Sequence, residues 1–191
     1  MFQIRIHGRG GQGAVTAAEM LSVAAFLEGE HAQAFPSFGS ERTGAPVVSF
    51  CRIDDKEIRR REPILEPDAL IVQDPTLFKV VDVCQGLKAN GYLLVNSNRS
   101  LADLHLAAVA ARLPAGHALT VPASELALKH IGRPLPNAVL LGAFAALTGI
   151  VHLKSVVAAI RDTFPPKIAE ANVAAATAAH DAIAQSPAAV A

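Results

Sequence analysis

The chain has 191 residues, a length one α/β domain fills, with 51% hydrophobic and 18% charged residues and a net charge of zero. A balanced charge argues against nucleic-acid binding, which needs a positive surplus, but leaves room for a single anionic ligand. Two cysteines, Cys51 and Cys84, stand without a CxxC or a near histidine; structural zinc and iron–sulfur clusters need about four ligands, so both read as small core hydrophobes and no metal site is expected. No charged and apolar leader opens the sequence and no apolar run is long enough for a membrane span, so a cytoplasmic protein is expected.

In chain order, Phe2, Ile4 and Ile6 alternate with Gln3, Arg5 and His7, the period of a strand. Gly8-Arg9-Gly10-Gly11-Gln12-Gly13 follows at once. Ala14, Ala17, Ala18, Leu21, Ala24 and Ala25 then share one helical face, with Gly29 as a stop. Ala32–Phe35 reads as a second strand, which completes a strand–glycine turn–helix–strand unit of Rossmann type. Pro36–Pro46 carries two glycines, two prolines and two serines in its eleven positions and reads as a structured loop. Val47–Ile53 is a strand, Asp54-Asp55 a turn and Glu57-Ile58-Arg59 a possible return strand. Ala69–Val72 and Tyr92–Val95 are continuous apolar runs, as in strands buried on both faces. A helix is expected after Pro75, a residue suited to a first helical turn. His117–Val121 reads as another strand and Ala123–His130 as a short helix; Asn137–Leu147, Leu153–Thr163 and Ile168–Gln185 read as helices. The expected fold is a single α/β domain over residues 1–186, with a mostly parallel sheet, flanking helices and a Rossmann-like opening unit. Residues 187–191 would form a frayed tail.

Gly8-x-Gly10-x-x-Gly13 sits between a strand and a helix. There glycines allow close backbone approach, and the helix N-terminus offers unpaired N–H groups to an anion. NAD calls for an acid near the end of the second strand, and Ala32-Gln33-Ala34-Phe35 has none, so NAD is disfavoured. A turn that merely lets strand and helix pack remains the alternative. Gln12 either donates to a phosphate or braces the loop, and Arg9 either faces the same site or is solvated. Asn137 after Pro136 is either the N-cap of its helix or a ligand contact. Asn96 and Asn98 lie beyond the carboxyl end of a strand, where open sheets bind ligands, although turn chemistry explains them equally well. Arg59-Arg60-Arg61 is a solvated edge or a subunit contact. No HExxH, HxxxH or Gly-x-Ser-x-Gly pattern is present, so no catalytic residue is assigned.

The runs His7–Glu19, Phe38–Val48 and Val72–Leu77, with Asn137–Ala143 and Thr148-Gly149, together resemble the gamma subunit of pyruvate-type 2-oxoacid:ferredoxin oxidoreductases. The resemblance extends over almost the whole chain and is weakest in Ala102–Pro114. It implies alpha, beta and delta-type partner subunits that carry thiamine diphosphate, magnesium and iron–sulfur clusters. Those would turn a 2-oxoacid and coenzyme A into acyl-CoA, carbon dioxide and a reduced ferredoxin or other acceptor. It further implies that Gly10, Gly11, Gln12 and Gly13 hold the phosphate or pantetheine end of coenzyme A. Asn137 belongs to the same candidate site, and Ser40 and Arg42 would approach the active-site entrance or a partner. The rival readings are a purely structural assembly subunit and an independent NAD(P)-dependent oxidoreductase.

Overall fold

The computed structural model of the protein describes residues 1–37 and 43–185. The expectations for Ser40, Arg42 and the tail lie outside these residues. Strand β1 (Phe2–Arg9) leads through the glycine turn into α1 (Ala14–Phe26), then β2 (His31–Pro36) and β3 (Pro46–Asp54). Next come β4 (Ala69–Val72), a 3-10 turn (Pro75–Lys79), β5 (Tyr92–Asn96), α2 (Ala107–Ala110) and β6 (Ala118–Val121). The chain closes with α3 (Ala123–Ile131), α4 (Asn137–Thr148), α5 (Leu153–Thr163) and α6 (Pro166–Ala184).

The six strands lie in the order β2-β3-β1-β4-β5-β6. β1, β4, β5 and β6 are parallel neighbours, with Ile4 beside Ala69, Ala69 beside Tyr92 and Leu93 beside Ala118. β3 is antiparallel to both β1 and β2, so the sheet is mostly parallel as expected, with one reversed strand inside it. The opening unit thereby differs from a simple Rossmann half. β2 runs parallel to β1, but β3 has been laid between them. Two local expectations are corrected, and one element was not expected. Glu57–Arg59 forms no strand; instead Arg52 holds the neighbouring chain by donating to the carbonyls of Arg60 and Glu62. The helix after Pro75 is a short 3-10 turn, capped by the Asp74 carboxylate accepting from the Thr76 N–H. α2, in the region of weakest family likeness, was not legible, because its four residues bury nothing.

The two faces of the sheet are covered unequally. Ile4, Ile6, Cys51, Ile71, Leu94 and Val121 point into one core with α1, α3, α4, α5 and α6. α4 is apolar all round and buried from Asn137 to Ala145, because it lies between the sheet and α6. On the opposite face Leu70, Val72, Leu93 and Val95 form a smaller core with Leu77, Val83 and Leu106, closed by partly buried side chains such as Phe78, Leu104 and Val109 from the short turns and α2. Among the described residues no helix is long and apolar enough to cross a membrane. Burial explains Cys51, whose thiol is pushed up to about 12 inside the first core.

Candidate functional site

β1 leads the chain to one side of the sheet and β4 lies on the other, so the order of strands reverses between them. In open α/β sheets the crevice outside the carboxyl ends at such a point is where ligands bind. Here it holds the glycine turn after β1 and Gln73-Asp74 after β4. Gly13 is left-handed at φ 73° and precedes α1 without any capping side chain. The N–H groups of Gly11, Gly13, Ala14, Val15 and Thr16 consequently have no hydrogen-bond partner among the described residues. Gly11, at φ 94°, has open space where a Cβ would lie. A Cβ on Gly13, in contrast, would stand 2.5 Å from Asn137 Nδ2. The turn at the start of α1 and the start of α4 therefore meet at one point.

The rest of the turn is tied down. Gln12 Oε1 accepts from the Arg9 N–H at 2.8 Å and its Nε2 donates to Asp74 at 3.3 Å, so this side chain braces the loop. Arg9 donates from Nε to Asp74 at 2.9 Å, from Nη1 to the Gly44 carbonyl at 3.0 Å and from Nη2 to Thr76 Oγ1 at 2.7 Å. Gly10 donates to Ala45 at 2.9 Å and accepts from Gly44 at 3.1 Å, which docks the end of the long loop on the turn. Burial alone would raise the Asp74 carboxyl, but hydrogen bonds from the Thr76 hydroxyl and N–H and from Gln12, with the Arg9 charge, hold it below the usual carboxylate range. Among the described residues the neighbourhood thus contains a paired cation and anion.

Gly10, Gly11, Gln12, Gly13 and Asn137 are brought together, with Gln12 serving the loop. Asn137 is the first residue of α4 and not its cap: Pro136 holds the cap position and no side-chain cap bond forms. Asn96 Nδ2 donates to the Gln73 carbonyl and to Ser124 Oγ, each at 2.8 Å, while its Oδ1 accepts from the Ser124 N–H at 3.0 Å. It joins the ends of β4 and β5 to the start of α3. Asn98 donates to Glu125 at 2.6 Å. Arg59 and Arg60 pair with Glu57 and Glu62 in solvent. Gln73 and Asp74 were not singled out as site residues. Two polar residues directly after a four-residue apolar run, at the carboxyl end of a strand, were the available signal.

A furrow of about 870 Å³ runs on the thinly covered face, past Phe78, Asp82, Cys84 and His105. Two of the polar groups along it are already engaged: Thr76 donates to Asp74, and Arg99 donates to the Asp103 carbonyl. The glycine turn offers open donors, and the furrow is the weaker candidate.

Residues 3–182 match the pyruvate ferredoxin/flavodoxin oxidoreductase family. The chain is 46% identical over 185 residues to pyruvate synthase subunit PorC of Methanothermobacter marburgensis, covering 95% of this chain and 97% of that protein. It is 49% identical to the common gamma subunit of the pyruvate and ketoisovalerate oxidoreductases of Pyrococcus abyssi, covering 92% and 94%. The crystal structure of pyruvate oxidoreductase subunit PORC from Thermotoga maritima superposes with a TM-score of 0.78 at 36% identity, covering 94% of this chain and 95% of that one. A glycine turn at the strand reversal, an α4 that meets it at Asn137, and likeness along nearly the full length agree: the chain belongs to the pyruvate ferredoxin/flavodoxin oxidoreductase family.

Proposed function

We propose that the chain is the gamma subunit of a 2-oxoacid:ferredoxin oxidoreductase complex and that its glycine turn receives coenzyme A. The observation that carries the binding role is the set of N–H groups of Gly11, Gly13, Ala14, Val15 and Thr16, without partners among the described residues, beside Asn137 and at the reversal of strand order. The complex would convert a 2-oxoacid and coenzyme A to acyl-CoA and carbon dioxide and pass two electrons to ferredoxin or another acceptor. Thiamine diphosphate, magnesium and iron–sulfur clusters are assigned to alpha, beta and delta-type partners. The residues here do not fit a cluster: Cys51 is buried, Cys84 stands alone, and the described residues hold no group of three possible metal ligands. The Pyrococcus relative is named as common to two oxoacid enzymes, which supports placing the choice of oxoacid on the partners. This chain's own task is then to hold a thiol cofactor in position for acyl transfer, where a fixed geometry replaces a bimolecular encounter.

Gly11→Asn tests the reading in the assembled complex. Asparagine tolerates positive φ, and its side chain would enter the open space above the turn. The coenzyme A concentration for half-maximal rate is expected to rise about tenfold, the scale of one or two lost hydrogen bonds. Carbon dioxide released in a single turnover before coenzyme A is added should not change. A variant complex with normal iron content and an unchanged coenzyme A requirement would leave the turn with a structural role only.

A further inference from the structure

Gln73 is a large, fully buried polar side chain of the site whose bonding does not close. It is 1% exposed, and neither Nε2 nor Oε1 has a hydrogen-bond partner among the described residues. The amide lies over Gly8, where a Cβ would come within 2.5 Å of Oε1 and 3.3 Å of the Ala14 Cβ. Gly8 is therefore a glycine because the Gln73 amide fills its side-chain space, directly beneath the start of α1. Leaving a buried amide unpaired is costly, and an apolar residue of the same volume would fill this place without that cost. A residue kept against the stability of its own chain points to a ligand.

The chemistry of that ligand follows from the free atoms. A phosphate only accepts hydrogen bonds and would leave Oε1 unmatched, whereas a secondary amide both donates and accepts. The charge balance among the described residues agrees, because the Arg9 guanidinium of the turn is already paired with Asp74. Resting on the coenzyme A reading above, we propose that Gln73 positions the neutral pantetheine arm by pairing with one of its amides. The long Gln73 side chain turns about its own torsions toward the starts of α1 and α4 to make this pair.

The test uses the assembled complex, with pantetheine and adenosine 3′,5′-bisphosphate as separate competitors of coenzyme A. In Gln73→Met the inhibition constant of pantetheine is expected to rise about tenfold, the scale of two neutral hydrogen bonds. That of the bisphosphate should not move, and the thermal midpoint should hold or increase. Should the Met complex fail to assemble, Gln73→Leu carries the same comparison. A rise confined to the bisphosphate, no change for either competitor, or no competition by pantetheine with the unmodified complex would overturn the assignment. So would a lowered thermal midpoint with equal loss for both competitors, which marks a structural residue. If Gly11→Asn alters the coenzyme A requirement while Gln73→Met leaves pantetheine unaffected, only the pantetheine assignment falls. If Gly11→Asn has no effect, the coenzyme A reading itself falls.

Discussion

Arg5 and His7 lie on the thinly covered face of β1 and share a hydrogen bond, with Arg5 Nε donating to His7 Nε2 at 3.0 Å. The second nitrogen, Nδ1, must then carry the histidine proton. Arg5 also donates to the carbonyls of Val83 and Gln85, each at 2.7 Å, so this one guanidinium fastens the loop between the 3-10 turn and β5. Burial, followed by the Arg5 charge, lowers His7 from 6.5 to about 3. The folded chain thus keeps the imidazole neutral where an unfolded chain would protonate it. The stability this contributes is complete above pH 6.5 and is lost as pH falls toward 3, by about 1.4 kcal/mol per pH unit inside that window. His7→Gln retains an acceptor for Arg5 and removes the titration. Unfolding measured at pH 7 and pH 4.5 should show the wild type losing about 2–3 kcal/mol more than the variant; parallel losses would mean that the histidine is not held neutral. None of this was legible at the residue scale, since alternation placed His7 on a strand but said nothing of its neighbours. Gln12 and Arg9 were left open for the same reason. Their common partner, Asp74, lies 62 and 65 positions along the chain, and no local spacing reports it.

Elements whose pattern is local were the readable ones. β4 was found residue for residue as Ala69–Val72 and α5 as Leu153–Thr163, because an apolar run and a 3.6-residue stripe need no knowledge of the partner. The insertion of β3 between β1 and β2 was not readable, because alternation identifies a strand and not its neighbour or direction. The start of α4 shows how a local rule misleads: Asn after Pro suggests a cap, yet Pro136 is itself in the helical region at φ −81° and takes that position. The same helix provides a test at the element scale. A Cβ on Gly142 would stand 2.0 Å from the Ala176 carbonyl oxygen, so α4 and α6 approach too closely for any side chain there. Alanine favours a helix over glycine by about 1 kcal/mol in the open, but overpacking costs about 1–3 kcal/mol. Gly142→Ala is expected to lower the denaturation midpoint, with the slope unchanged. A raised midpoint would show that the two helices have room to separate.

At the scale of the whole molecule, the helices α1, α3, α4, α5 and α6 protect one face of the sheet, while the 3-10 turn and α2 cover the other. The candidate site lies at the carboxyl edge, where a second subunit can approach the open N–H groups without displacing a layer of the fold. What the described residues present there accords with the proposed holding of a ligand. The paired Arg9 and Asp74 fix the turn, and Gln73 and Asn137 are uncharged amides. Neither cysteine offers a reactive thiolate: burial raises both, that of Cys51 to about 12. On the proposed function the labour is divided. Ligand positioning would belong to this chain, and bond cleavage and electron storage to its partners, in keeping with the described residues holding no group of three possible metal ligands. Purified alone, the chain is expected to contain no stoichiometric iron or sulfide and to leave a 2-oxoacid, coenzyme A and an electron acceptor unchanged. Addition of separately prepared partner subunits should restore turnover and bring all of the iron with them. Iron and acid-labile sulfide recovered in the isolated chain at one cluster per molecule, or turnover without partners, would refute that division.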